Sequence, residues 1–554
     1  MCKIVMTIEI CLFILNLFPI IGYCHAAVRW YSTIESDPWL DRGTIGLTAK
    51  TDSNPSVIEI DSNNRYQTID GFGGCFNELG WKALNVLDSA QIDVVMGELF
   101  DPVDGCRFNI CRIPIGANDY ATSWYSLADT ANDYRMEHFS IERDRRTLIP
   151  FIKCAMQHKA NLKVWGTPWS PPAWMKENNS YSGGQNTLRW NEKVLEALAL
   201  YFAKFVQAYR AEGINLYAIH VQNEPIANPN YPSCLWSGEH MRDFIRDYLG
   251  PAFEVRNIDA EIWLGTINSP DYNAYAGTVL ADTAASAHIS GIGYQWEGKK
   301  AIGQTYQGHP EKKLMMTEQE CGYGGNSWKY GEEVFTSLVH YFNNGANSQM
   351  QWNMILDETG KSTWDWVQNS MITIDKNTGR VTYNPQFFIV KHFSHFIDSG
   401  AVRITCRGPL KDNIAFLNPD GSVVFITANM NSEVKNVTVS INNKVFAAKI
   451  PAHSYNTFII KKETPDNFFT YDKKRCTSIL LNTGSAFEYF LSKPSMVSIS
   501  FFNLAGRKIR TFESQLNNAG MHHINLGYYS ELSSGMYIVQ STIHEVSSGK
   551  SRLP

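Results

Sequence analysis

The stretch Leu216-Tyr-Ala-Ile-His-Val-Gln-Asn223-Glu224-Pro225 decides how the rest of the chain is read. A mostly apolar run of strand length ends in two amide side chains, a carboxylate and a proline that cannot join a central ladder. Segments with apolar residues at helical spacing lie on both sides, at 191–212 and 238–249. A strand between two amphipathic helices is the texture of a parallel βα sheet. In a closed sheet of that kind, a polar group at the C-terminal end of a strand faces the mouth.

Working outward, similar apolar segments occur at 69–76, 107–113, 162–166, 261–265, 289–295, 313–317 and 348–352, with a further helix expected at 332–343. With 216–221 they make eight strands, the number of a (β/α)8 TIM barrel. The flanks are different. Short β-rich pieces stand at 29–33 and 57–60, and six more run from 402 to 460. They predict a β-sandwich drawn from both sides of the barrel. The polar, proline-bearing stretch after Lys461 reads as a linker, and alternation at 497–503 and 535–539 predicts a further small all-β module. The expected organisation is a signal peptide at 1–26, N-terminal sandwich strands at 27–65, the barrel at 66–398, the sandwich at 399–462, a linker at 463–476 and the C-terminal module at 477–554.

The composition fits this division. The 554 residues carry 49 Lys+Arg against 54 Asp+Glu, a net charge of −5 that speaks against nucleic acid as a partner. Tryptophan is abundant, at 15 residues, which fits either a large aromatic core or a cleft that stacks flat apolar faces. The start, Met1-Cys-Lys3 followed by an apolar run to Ile21 and a small residue at Ala26, has the form of a signal peptide. The run is too short for a permanent membrane span. Export to the medium or the cell surface is the expected location. Eleven cysteines without a CxxC or a zinc-spaced Cys/His cluster predict no metal site, and neither a metal nor an organic cofactor is expected.

Two carboxylates at strand ends carry the chemistry. Glu224 follows the strand at 216–221, and Glu318 follows Lys313-Leu-Met-Met-Thr317. A pair facing each other across a barrel mouth is what glycosidic bond cleavage requires: one protonates the leaving oxygen, and the other attacks or stabilises the anomeric carbon. Other strand ends supply Trp165-Gly-Thr-Pro-Trp169, Gln295-Trp296 and Gln351-Trp352-Asn353. Indole faces there suit the C–H face of a sugar, while Asp119, Asn223 or Gln295 can bond its hydroxyls.

These residues also carry a resemblance. Thr68-Ile-Asp-Gly-Phe-Gly-Gly74, Trp165 to Lys176, Gln222-Asn-Glu-Pro225 with Glu239 to Ile245, and Met316-Thr-Glu318 resemble glycoside hydrolase family 30, the family of lysosomal glucosylceramidase and microbial endo-β-1,6-glucanases. The resemblance implies a retaining β-glycosidase in which Glu224 is the acid/base, Glu318 the nucleophile and Asn223 the partner of the sugar 2-hydroxyl. It gives Asp119 and Trp169 as sugar-binding residues and Glu320 as a supporting group. The stretches 293–299 and 75–81 look more like the microbial members, which implies a β-glucan or related β-glucoside as substrate. A true glucosylceramidase is the alternative within enzymes. A non-catalytic cell-surface carbohydrate-binding protein is the alternative outside them. The C-terminal residues 497–508, 518–523 and 532–537 resemble the sorting domain of the bacterial type IX secretion machinery, which would be a partner during export.

Overall fold

The computed structural model describes residues 27–51, 57–410 and 412–461, together with parts of 480–545. Residues 1–26 and 463–476, expected as leader and linker, lie outside the described residues. Eight parallel strands close into a barrel: β1 Gly71–Cys75, β2 Ile110–Pro114, β3 Lys163–Thr167, β4 Leu216–His220, β5 Glu261–Ile267, β6 Ile289–Gln295, β7 Lys313–Glu318 and β8 Ser348–Asn353. Closure is made by β8 against β1, with Ser348 opposite Gly71 and Met350 opposite Gly73. Each strand coincides with a segment read from the sequence to within about three residues at either end, the ordinary uncertainty of such boundaries.

Glycine sets how closely neighbouring strands approach at two places. A Cβ on Gly73 would stand 1.7 Å from the Ile110 carbonyl oxygen. A Cβ on Gly293 would stand 2.5 Å from both the Gly265 carbonyl oxygen and Thr317 Cγ2. The space glycine leaves on β6 admits large neighbours, and Trp263, Trp165 and His220 stack through the barrel interior, with ring centroids 4.0 Å apart for Trp165 and His220 and 4.9 Å for His220 and Trp263.

The outer helices form for local reasons. Glu192–Ala211 begins at Asn191, whose side chain accepts from the Val194 N–H, and buries Val194, Leu198, Tyr201, Phe205 and Tyr209 at spacings of three and four. It stops at Gly213, which takes φ +82 and closes the helix end by donating to the Arg210 carbonyl. The helix expected at 238–249 continues to Val255. A wide turn at Ile245–Leu249 joins Gly238–Phe244 to Gly250–Val255. That turn pairs each N–H one residue further back, and so accommodates a proline that has none to give.

Beside the barrel, one ten-stranded sheet wraps a second core that includes Val28, Ile58, Phe425, Val439 and Phe458. Ala27–Ile34 pairs antiparallel with Ser454–Ile460, and Val57–Thr68 lies between Val402–Arg407 and Lys435–Ile441. The chain before the barrel thus completes the sandwich formed after it. Residues 464–554 cluster as a separate unit, whose described strands form two three-stranded antiparallel sheets. All seven cysteines described, from Cys75 to Cys406, are free thiols.

Candidate active site

The site is built around an arginine inside the barrel. Arg112, in the middle of β2, is fully buried and its guanidinium lies 4.3 Å from the ring centroid of Trp169. One arm donates to Glu318 Oε2 at 2.5 Å and the other to Asn223 Oδ1 at 2.5 Å. A buried cation needs such partners, because desolvation is costly unless charge and hydrogen bonds both compensate. Gln295 closes the ring of contacts: its Nε2 donates to Asn223 Oδ1 at 2.8 Å and to Glu318 Oε2 at 3.1 Å. Thr266 Oγ1 donates to the same Asn223 oxygen at 2.7 Å.

Donors from three strands, β2, β5 and β6, therefore converge on two acceptor atoms, Asn223 Oδ1 and Glu318 Oε2. With Oδ1 occupied by three donors, Asn223 turns its Nδ2 away from them. On Glu318, Oε2 is held by Arg112 and Gln295, whereas Oε1 has only the Cys321 thiol, 4.0 Å away.

Glu224 is carried just beyond β4 in a left-handed backbone conformation, φ +46. A non-glycine residue takes that conformation only when its surroundings impose it. Here they do: the Asn223 N–H donates to the Pro168 carbonyl at 2.9 Å, and the Glu224 N–H to the Thr266 carbonyl at 3.1 Å. The two carboxyls differ in environment. Burial pushes the Glu224 pKa well above the usual range, with the charges of Glu318 and Asp119 adding to it. Burial raises Glu318 as well, but there Arg112 pulls in the opposite direction through its charge and its hydrogen bond. Both carboxyls are thus raised, Glu224 the further of the two, and Arg112 favours the ionised form of Glu318 alone by a direct bond.

Asp119 follows β2 and is buried, its pKa pushed up to about 7 by burial and by Glu318. Gln368 Nε2 bonds its Oδ2 at 3.2 Å, and its Oδ1 has no partner. Trp169 and Trp352 are both buried, with ring centroids 5.0 Å apart, and the Trp352 N–H is also without a partner. Trp165 sits deeper, in the barrel interior, so it belongs to the core and not to the mouth. Trp296, at the end of β6, is half-buried and stands apart from the bonded network. Glu320 has left the strand; its carbonyl accepts from the Tyr330 hydroxyl, and its charge helps to raise the Glu297 pKa.

Arg112, Thr266, Gln368 and Tyr231 were not singled out from sequence. Arg112 had a signal, a lone charge in the apolar strand Ile110-Cys-Arg-Ile-Pro114. Tyr231 had none, since it stands in an ordinary Asn/Pro loop and reaches the site only by packing beside Trp169 and Trp352.

An eight-stranded parallel barrel with an attached β-sandwich and two dissimilar glutamates at the barrel mouth defines a glycoside hydrolase. Residues 69–397 match the glycosyl hydrolase family 30 TIM-barrel domain, and residues 400–458 match the glycosyl hydrolase family 30 beta-sandwich domain. The chain belongs to glycosyl hydrolase family 30 and is a β-glycosidase. It is similar to the lysosomal acid glucosylceramidase of Mus musculus, 28% identical over 439 residues that cover 74% of this chain and 84% of that protein. It is also similar to the endo-1,6-beta-D-glucanase neg1 of Aspergillus fumigatus, 26% identical over 73% of this chain and 87% of that protein. Among solved structures, the endo-beta1,6-glucanase BT3312 is 27% identical with a TM-score of 0.69, covering 79% of this chain and all of that one. Among the described residues, no helix is long and apolar enough to cross a membrane.

Proposed function

We propose that this protein is a retaining β-glucosidase of β-1,6-glucan or a closely related β-glucoside, with Glu318 as nucleophile and Glu224 as acid/base. The observation that carries the reading is the unequal treatment of the two carboxyls: Arg112 bonds Glu318, whereas burial without a bonded cation keeps the proton on Glu224. Glu318 Oε1 attacks the anomeric carbon while the bond to the leaving oxygen breaks and Glu224 gives that oxygen its proton. In the second step Glu224 takes a proton from water, the water oxygen bonds the anomeric carbon, and the ester to Glu318 breaks. Asp119 Oδ1 and the Trp352 N–H are buried without a partner and are offered to sugar hydroxyls, together with the amide nitrogen of Asn223, with Trp169 beside them. Gln295 acts through Glu318 and Asn223, and Trp296 borders the mouth.

A 2-fluoro glucoside with a good leaving group is expected to label Glu318. Label on Glu320 would overturn the assignment. Digesting β-1,6-glucan and glucosylceramide side by side tests the substrate, and cleavage of glucosylceramide alone would overturn the glucan reading.

Export follows from the same sequence features: the leader form of residues 1–26 supports secretion or surface display, and the motifs in 497–537 support a type IX sorting module. Expression in a host with that machinery, with and without residues 464–554, tests both; equal export of the two forms would remove the sorting role.

A further inference from the structure

Four loops at the barrel mouth bring together aromatic rings that the catalytic arrangement does not use. Trp124 follows β2, Tyr181 follows β3, Tyr231 follows β4, and Trp364 and Trp366 follow β8. Trp124 stacks on Trp364 with centroids 5.8 Å apart and meets Tyr181 edge-on at 6.4 Å. Trp366 meets Tyr231 edge-on at 5.8 Å. Trp124 remains 38% exposed and Trp366 44% exposed.

Exposed indoles on a soluble surface usually cost solubility and are free to move. These are held in place. The Tyr120 hydroxyl donates to the Gly360 carbonyl at 2.7 Å and to the Trp366 carbonyl at 3.2 Å, and Thr363 Oγ1 donates to the Ala121 carbonyl at 2.7 Å. Behind Trp124, the buried Glu78 holds the loop: its carboxylate accepts from the Thr122 N–H at 2.7 Å and from the half-buried Arg143 at 2.7 Å. Asp365, between the two tryptophans, is fixed at φ +64, which lets both indoles pack against the aromatics of other loops.

We propose that Trp124 and Trp366 are two stacking platforms for glucosyl units of an oligosaccharide or glucan, outside the subsite where the bond is cut. The ligand class follows from what surrounds the rings. The segment Lys361-Ser-Thr-Trp364-Asp-Trp366 contains no aliphatic side chain, and its hydroxyls and carboxylate alternate with indoles. A sugar ring matches that alternation, one face apolar and the edge rich in hydroxyls, whereas an acyl chain needs continuous aliphatic surface. The rim is continuous with the site, because Tyr231 packs on the cluster holding Trp169 and Trp352 while Tyr120 adjoins Asp119. The proposal deepens the glucan reading and rests on it.

The test uses the full-length protein with Trp124→Ala, Trp366→Ala and the double variant, assayed on an aryl β-glucoside and on β-1,6-linked gluco-oligosaccharides of increasing length. Hydrolysis of the aryl glucoside is expected to stay within about twofold of wild type. With long oligosaccharides, kcat/KM is expected to fall by up to roughly tenfold for each platform removed, the size of one aromatic contact. Trp366→Phe, which keeps a ring, should recover most of the loss and also serves if an alanine variant folds poorly. Equal losses on both substrates, or none on long oligosaccharides, would overturn the platforms. If the wild-type protein cleaves no β-glucoside, the glucan reading has failed. The platforms are then judged by titration calorimetry with the longest oligosaccharide, where binding that the alanine variants leave unchanged rejects them.

Discussion

Arg112 and Glu318, from strands three positions apart around the barrel, form a buried ion pair 2.5 Å long in which the arginine bonds one carboxylate oxygen and leaves the other toward Cys321. The pair gives the two glutamates different tasks, and it depends on Arg112 reaching Asn223 with its second arm. The protein's chemistry is accessible to experiment through this contact.

Arg112→Lys is expected to lower kcat/KM by about 100-fold, since an ammonium is a single point of charge and cannot serve Glu318 and Asn223 together. Burial still raises the Glu318 pKa, now with less opposition, so the acid limb of the kcat/KM profile should move to higher pH. An acid limb that does not move would show that Arg112 does not hold Glu318 ionised. Arg112→Met, leaving the carboxylate buried and unpaired, should cost about 3–5 kcal/mol of stability by denaturant titration.

Glu224 must be protonated to act as acid, and its pKa is raised by burial and by Glu318. Activity on unactivated glycosides should therefore fall as pH rises through that raised pKa. For Glu224→Gln assayed on an activated aryl β-glucoside, the alkaline limb of kcat/KM should vanish, because the leaving group needs no proton. An alkaline limb that persists would point to another group.

Asp144 lies away from the site, buried, accepting from Tyr125 at 3.1 Å and Tyr209 at 2.8 Å. Burial pushes its pKa up to about 7. A carboxyl whose folded pKa exceeds its unfolded value near 3.9 contributes stability below that value and loses it as pH rises toward 7. Asp119 has the same direction of shift, also to about 7. Wild type should thus melt at a higher temperature at pH 5 than at pH 8, and Asp144→Asn should narrow that gap. Melts at the two pH values check it, and an unchanged gap would remove Asp144 from the account.

Gly293→Ala places a methyl 2.5 Å from the Gly265 carbonyl oxygen and Thr317 Cγ2, the first of which is backbone and cannot turn aside. A loss of about 1–3 kcal/mol is expected by urea unfolding. Activity should fall as well, since Thr317 directly precedes Glu318.

The barrel was legible because its strands are short apolar runs, several of them beside amphipathic helices, a pattern carried by neighbouring residues. Glu224 and Glu318 were legible for the same reason, as carboxylates at the ends of such runs. The completion of the sandwich by Ala27–Ile34 and Val57–Thr68 was legible only as β-texture on both flanks, since pairing of Val28 with Ile460 joins residues far apart in the chain. The helix expected at 238–249 runs on to Val255 because the wide turn at Ile245–Leu249 takes up Pro251, which lacks an N–H.

Sequence by itself determined which strands form, which carboxylates end them and that the chain folds as a barrel with a sandwich, because these depend on local periodicity. Tertiary structure alone decided that Arg112 pairs with Glu318, that Asn223 Oδ1 is already occupied, that Trp165 is core while Trp366 is rim, and that Tyr231 joins the cleft. Those outcomes depend on which side chains eight strands and their loops bring into the same low-dielectric space, and no spacing along the chain records it.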